Sequence, residues 1–151
     1  MTATKTALPL QLKFSMLFMF FGIISSVLTI IHPFIIFGLN EIVGTGAILY
    51  SCVTASILIS CIIGIFLRLK WAQILSILYY SLNMIILIFN YICFSREKTL
   101  ILELKKNYFV NDAAKFTMKS VTMAEVFALI LGLFFGFFVI RSCFRHKHIF
   151  I

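Results

Sequence analysis

The chain has 151 residues, of which 62% are hydrophobic and 12% are charged, and its formal net charge is +8. A soluble domain carries about 25% charged residues, and a globule this small could not hide so much apolar surface from water, so the composition indicates a single membrane domain spanning residues 1–151. The basic residues lie between long apolar runs and not on one surface, which argues against a nucleic-acid partner and is typical of span ends that face anionic headgroups.

The first predicted span covers residues 14–38, which contain no Lys, Arg, Asp or Glu. His32 and Pro33 interrupt it near its far end, where the proline should kink or end a helix because it lacks a backbone N–H. Two preceding lysines, Lys5 and Lys13, also resemble the start of a signal peptide. The apolar run is too long for that and no A-x-A site follows, so we interpret it as a retained anchor.

Three further apolar runs predict spans at residues 46–67, 71–94 and 121–140. Between the second and third lie only Arg68, Leu69 and Lys70, so these two helices should be antiparallel neighbours. Lipid cannot satisfy backbone amides, and continuous apolar runs are not barrel strands. The predicted fold is therefore all-α, with four transmembrane helices in an antiparallel bundle.

Residues 95–120 form the one long polar loop between the predicted spans. Within it Leu100, Ile101, Leu104 and Tyr108 recur on one helical face. A short helix on the membrane surface and an irregular polar connection both fit this pattern.

Orientation follows from the short loops. Residues 39–45 have no positive charge and contain Glu41, whereas the next loop packs Arg68 and Lys70 into three residues. By the positive-inside rule we expect both termini in the cytoplasm, although the long loop is also basic.

The third predicted span has a polar stripe. Ser76, Asn83 and Asn90 are spaced by seven, so they share one face, with Tyr80 close by. An amide facing lipid is costly, so this face should turn toward other helices. The stripe serves either as interhelical hydrogen bonding, which we favour, or as the lining of a small polar site.

Small residues recur in two spans. Ser56, Ser60 and Gly64 are spaced by four in the second, and Gly132 and Gly136 form a GxxxG in the fourth. This spacing lets helix backbones approach closely, either within one bundle, which is the commoner use, or in a homo-oligomer.

Glu125 is the one acid within an apolar run. Thr122 and Glu125 have the spacing of a capping box, which would place the carboxylate at the membrane interface; the alternative is a functional carboxylate inside the membrane. Of the four cysteines, Cys143 lies beside a span end, where acylation is an alternative to simple burial.

The sequence contains no phosphate-binding loop, no G-x-S-x-G, no H-E-x-x-H and no paired acids at catalytic spacing. We therefore predict a protein that is not an enzyme and that has no cofactor and no metal site.

The segment Arg68-Leu69-Lys70-Trp71-Ala72 resembles a pattern of small four-span bacterial inner-membrane proteins, in which a basic turn followed by Trp-Ala opens the third span. The longer polar loop before the last span and the basic C-terminal end are also similar to the enterobacterial YbjO-type family. Gln73 stands where the pattern usually has a second arginine. The resemblance implies the bacterial inner membrane and no known activity. Trp71 should anchor the interface, with Arg68 and Lys70 on the cytoplasmic side.

Three functions fit these features. The first is a non-catalytic component that acts through contacts with lipid or other membrane proteins. The second is a small oligomeric transporter or channel subunit, although the first span has no carboxylate of the kind that small four-helix multidrug exporters use. The third is an immunity-type protein that blocks a pore-forming toxin, which a neighbouring toxin gene would support.

Overall fold

The computed structural model describes residues 7–108 and 117–151, and it is an all-α four-helix bundle. Four long helices are apolar enough to cross a membrane, so the chain is a multi-pass membrane protein. They are α1 (Leu10–Ile31), α2 (Thr45–Phe66), α3 (Lys70–Arg96) and α5 (Met118–Arg145), and a short α4 (Lys98–Tyr108) lies between the last two. Part of the predicted polar loop, residues 109–116, lies outside the described residues.

The long helices form a closed ring, in which α1 contacts α2, α2 contacts α3, α3 contacts α5 and α5 contacts α1. One end of the bundle holds the start of α1, the turn between α2 and α3 and the end of α5; we call it the basic end, because Lys13, Arg68, Lys70, Arg141 and Arg145 lie there. The opposite end holds the connection after α1 and the helix α4, and we call it the cap end. Helix α4 packs on α3 and α5.

The first predicted span differs from the structure at both ends. Helix α1 begins at Leu10 and stops at Ile31, and the residues from Phe34 to Gly38 are not helical. Pro33 has no N–H to donate and disfavours helical backbone at His32, so the apolar sequence continues in extended form. Hydropathy gave the right membrane crossing here but the wrong secondary structure for its last turn.

After Pro33 the chain forms a hairpin of β1 (Phe34–Phe37) and β2 (Asn40–Val43). The strands are antiparallel and pair Phe34 with Val43 and Phe37 with Asn40, which leaves a two-residue turn. Gly38 is the first residue of that turn and has a φ of +63°. Two-residue hairpin turns need a positive φ, which glycine adopts without strain. Gly38 is also buried, and a Cβ there would lie 3.0 Å from the ring of Phe89.

Of the other spans, predicted at 46–67, 71–94 and 121–140, α2 is shifted by one residue, whereas α3 and α5 extend beyond both bounds, most at α5. Helix α2 ends in a tight turn as predicted, and α3 packs against it. Arg68 has a φ of +61°, and the Leu69 amide donates to the carbonyl of Gly64 at 2.8 Å. This is the hydrogen bond of a Schellman ending, in which a left-handed residue closes the helix.

The glycines of the predicted small-residue motifs pack between helices of the same bundle. A Cβ on Gly64 would overlap that of Ala72 on α3 and come within 3.0 Å of the Trp71 ring. On α5, a Cβ at Gly136 would lie 2.7 Å from Met84, and one at Gly132 would overlap the end of Leu87. These contacts join α2 to α3 and α3 to α5, so the glycines set helix spacing within one chain.

The serines of the same motif behave differently. Ser56 is exposed, and its hydroxyl donates to the carbonyl of Cys52 at 2.8 Å. Ser60 is half-buried. The predicted stripe of small residues therefore packs chiefly at Gly64, since Ser56 satisfies its hydroxyl within its own helix and faces outward.

The largest group of buried side chains lies toward the basic end and joins all four long helices. Its members are Leu12, Met19, Leu58, Cys61, Ile65, Ala72, Tyr80, Val139, Cys143 and Phe150. Most of the remaining apolar side chains are on the outside, where lipid is the solvent that suits them.

Candidate functional site

The polar stripe of α3 leads to a cavity of about 380 Å³ that is lined by all four long helices and is partly open to the outside; we call it the central cavity. Its polar lining comes from Ser25, Tyr79, Tyr80 and Asn83. Its apolar lining is Phe18, Phe21, Gly22, Leu58, Leu131, Gly132 and Phe135.

Asn83 occupies the midpoint of α3, thirteen residues from Lys70 and thirteen from Arg96. At 1.5 Å per residue its Cα lies about 20 Å from either end of a helix that is long enough to span a bilayer. Its carboxamide makes no hydrogen bond to any residue in 7–108 or 117–151. The side chain is half-buried and lines the central cavity, so its amide is available to a polar group bound there.

Two tyrosines stand beside Asn83. Tyr80 is buried and Tyr79 is half-buried, and their rings meet edge to face with centroids 5.2 Å apart. Tyrosine combines an apolar ring with a hydroxyl that donates and accepts. The central cavity thus has mostly apolar walls and a small group of convergent polar side chains, as small-molecule sites usually do.

An aromatic cluster closes the seam between α1 and α5 on the basic side of the cavity. Phe18 stacks on Phe135 with centroids 4.3 Å apart and meets Phe138 edge to face at 5.3 Å. A second pocket lies further along the seam and is lined by Phe138 of this cluster together with Gln11, Arg141 and Arg145 among others.

Asn90 of the same stripe belongs to the cap end. Its Oδ1 accepts from the Gly38 amide at 2.8 Å, and its Nδ2 donates to the carbonyl of Ile36 at 3.4 Å. Those two backbone groups point from the same edge of β1, so the carboxamide replaces a neighbouring strand. Asn90 thereby protects an edge that would otherwise be unpaired next to lipid.

Glu125 is not part of a capping box, contrary to the sequence prediction. Helix α5 starts at Met118, and Thr117 and Ser120 form the capping box, with the Thr117 hydroxyl accepting from the Ser120 amide at 3.2 Å. Thr122 lies inside the helix and donates to the carbonyl of Met118 at 2.8 Å. The sequence pattern was misassigned because α5 begins one turn earlier than its apolar run.

The actual partner of Glu125 is Lys105 of α4, whose Nζ lies 2.6 Å from the carboxylate Oε1. Both side chains line a cavity of about 230 Å³ at the cap end, together with Asn90, Phe94 and Ile101. Tyr108, at the end of α4, stacks on Phe34 of the hairpin with centroids 4.5 Å apart. Helix α4 is thus anchored to both α5 and the hairpin.

The basic end is tied together by long-range hydrogen bonds. Ile151 bridges the turn between α2 and α3, accepting from the Lys70 amide at 3.0 Å and donating to the Arg68 carbonyl at 2.8 Å. The buried Gln73 donates to the carbonyl of Cys143 at 3.0 Å. Cys143 itself is fully buried, so the alternative of acylation at this thiol does not fit its position.

His146, which follows α5, lies with Nε2 3.0 Å from Oε1 of Gln11 on α1. Burial, followed by the positive charges of Arg145 and His148, lowers the pKa of His146 below its ordinary value of 6.5. The ring is therefore mainly neutral at pH 7 and serves as a hydrogen-bonding link between α1 and the end of α5.

Across residues 7–108 and 117–151, no three His, Cys, Asp or Glu side chains come together as a metal site would require. All four cysteines are free thiols. The candidate site is therefore the central cavity, and Asn83 is its distinguishing residue.

Compared with models of protein families, with curated proteins and with solved structures, the chain has no match.

Proposed function

We propose that the chain is a non-catalytic component of the bacterial inner membrane, with both termini in the cytoplasm, that acts through contacts with lipid and other membrane proteins. Its ligand site is the central cavity. The ligand is an amphipathic molecule of the membrane, with one hydrogen-bonding group and an apolar body.

One observation carries this proposal: Asn83 lies midway along α3, a helix long enough to span a bilayer, and its amide makes no hydrogen bond to the described residues. In hydrocarbon a polar group without a partner is destabilising. A polar residue within a membrane span therefore points to a functional role. The apolar walls of the cavity match an apolar ligand body, and Asn83 matches a hydroxyl or carbonyl.

Photolabelling with a long-chain alcohol that carries a diazirine tests the proposal. We expect labelled peptides from the walls of the cavity, on α1 around Gly22 and on α5 around Gly132. An excess of unlabelled alcohol should compete, whereas an alkane of the same length should compete poorly because it cannot bond to Asn83.

The Asn83→Leu variant should reduce this labelling about tenfold, the worth of one hydrogen bond in an apolar site. Asn107→Leu is the matched control, since it removes the same amide from the exposed face of α4. Equal labelling of wild type and Asn83→Leu would refute the proposal, as would an alkane that competes as well as the alcohol.

A transporter or channel subunit is the second candidate, because the same mid-membrane cavity is where transporters place their substrates. The ion pair of Glu125 with Lys105 favours the first function, since this carboxylate holds α4 against α5 and does not line the central cavity. Flux of the alcohol-type ligand across proteoliposomes, lost in Asn83→Leu, would favour transport.

A further inference from the structure

The second pocket on the seam between α1 and α5 is a groove of about 270 Å³ at the basic end. We call it the basic groove; its walls include Gln11 of α1 and Phe134, Phe137, Phe138, Arg141 and Arg145 of α5. It shares no lining residue with the central cavity, so it can be tested independently of the proposed function.

Arg141 and Arg145 are one helical turn apart, so their side chains share a face of α5. Like charges at this spacing repel each other. The described acidic side chains, Glu41, Glu97, Glu103 and Glu125, all belong to the cap end, and the ion pair seen in residues 7–108 and 117–151 is Lys105 with Glu125. Neither guanidinium of the groove has a carboxylate side chain beside it, so an external anion is the group that would relieve their repulsion.

The groove also has an apolar part. Phe134 and Phe137 are 57% and 58% exposed on the outside of α5. Phe137 precedes Arg141 by four residues, so its Cα lies about 6 Å farther from the basic end along the axis of α5. A ligand that fills the groove therefore has its charge at the membrane surface and its apolar part inward.

Gln11 completes the polar wall. Its Oε1 lies 3.0 Å from His146 Nε2, so when that nitrogen carries the proton of the neutral ring it donates to Gln11. The side-chain NH₂ of Gln11 then remains as a donor on the wall of the groove that also carries Arg141 and Arg145. Guanidinium groups can bind two phosphate oxygens at once.

We infer that the basic groove binds an anionic phospholipid, with its phosphate on Arg141 and Arg145 and an acyl chain along Phe134 and Phe137. Basic pockets between helices at the membrane surface are suited to such headgroups. A zwitterionic lipid fits less well, because its cationic group would meet two guanidiniums and, among the described residues, no acidic side chain.

The test measures the association of spin-labelled phosphatidylglycerol relative to spin-labelled phosphatidylcholine, with the full chain in phosphatidylcholine bilayers. Wild type should prefer phosphatidylglycerol. The preference should fall about fivefold for each arginine removed, and it should be lost in Arg141→Gln/Arg145→Gln. Arg141→Lys/Arg145→Lys should retain part of it, since lysine keeps the charge but not the paired donors.

Lys13→Gln/Lys147→Gln is the matched control, because it removes two exposed positive charges from the same end without touching the groove. It should keep the preference, as should Asn83→Leu, which separates this inference from the central cavity. An equal loss of the phosphatidylglycerol preference in the lysine control would show that the preference arises from general surface charge, and it would overturn the inference. So would an unchanged preference in the arginine variants, or full displacement of the lipid by inorganic phosphate, which would make free phosphate the ligand.

Discussion

The Nζ of Lys105 lies 2.6 Å from the Oε1 of Glu125, and this pair joins the short helix α4 to the second turn of α5. The two side chains are 18% and 27% exposed, so the pair lies between a surface bridge and a buried one. Its partners are twenty residues apart in sequence, and the contact depends on how α4 docks.

Breaking this pair should loosen α4. Glu125→Gln should lower the free energy of unfolding by about 1–2 kcal/mol, between the values for exposed and buried pairs, because Lys105 would keep its charge without a counter-ion. Faster amide exchange confined to α4 is the measurement. The exchanged pair Lys105→Glu/Glu125→Lys should restore protection, and a variant as protected as wild type would show that α4 docks without the pair.

Asn90→Leu should expose the edge of β1. The amide of Gly38 and the carbonyl of Ile36 lose their shared partner, at a cost of about 1–3 kcal/mol. Hydrogen exchange at Gly38 should accelerate in Asn90→Leu while the same change at the exposed Asn107 leaves it unaltered. Unchanged protection of Gly38 would mean that the hairpin does not depend on Asn90.

Gly64→Ala should destabilise the bundle more than Gly132→Ala. A methyl at Gly64 meets the Cβ of Ala72 and the rigid ring of Trp71, whereas one at Gly132 meets the flexible end of Leu87. We expect about 1–3 kcal/mol at Gly64, the usual range for overpacking. Thermal unfolding of both variants in mild detergent measures the difference, and the reverse order would contradict the α2–α3 packing described above.

Stability should fall as the pH drops below about 6.5 through the titration of His146. The pKa of this residue is lower in the folded state, so the unfolded chain binds the proton more readily. Acidification therefore stabilises the unfolded state relative to the folded one. The stability that the neutral ring contributes is present above the unfolded pKa and is lost as the pH falls through the window below it. His146→Asn should flatten the pH profile of thermal unfolding in that window; a profile as steep as that of wild type would assign the titration to another group.

Both ends of the described chain lie at the basic end, since α1 starts there and α5 finishes there. A reporter joined after Ile151 and one inserted at Asn107 of α4 should therefore give opposite topology readouts. We expect the first to be cytoplasmic, because the loops of the basic end include Arg68 and Lys70. An external C-terminal reporter would invert the orientation and leave the bundle itself intact.

The four helices that can span a membrane, and the antiparallel pair around Arg68 and Lys70, could be predicted before the structure was known. These features depend on local hydropathy and on a turn too short for any other arrangement. Proline chemistry also located the end of α1 at His32 and Pro33, although only the structure shows that the following apolar residues pair as strands.

The partners of the polar side chains could not be predicted in this way. Asn83 and Asn90 share one face of α3 and look equivalent in sequence, but Asn90 meets the edge of β1 and Asn83 meets a cavity. Glu125 has the spacing of a helix cap, yet it pairs with Lys105 because α5 begins a turn earlier and α4 folds against it. Hydropathy and spacing are properties of residues that are close in sequence. The partner of a polar group in lipid depends instead on which helix or strand packs beside it, and this is set only when the bundle assembles.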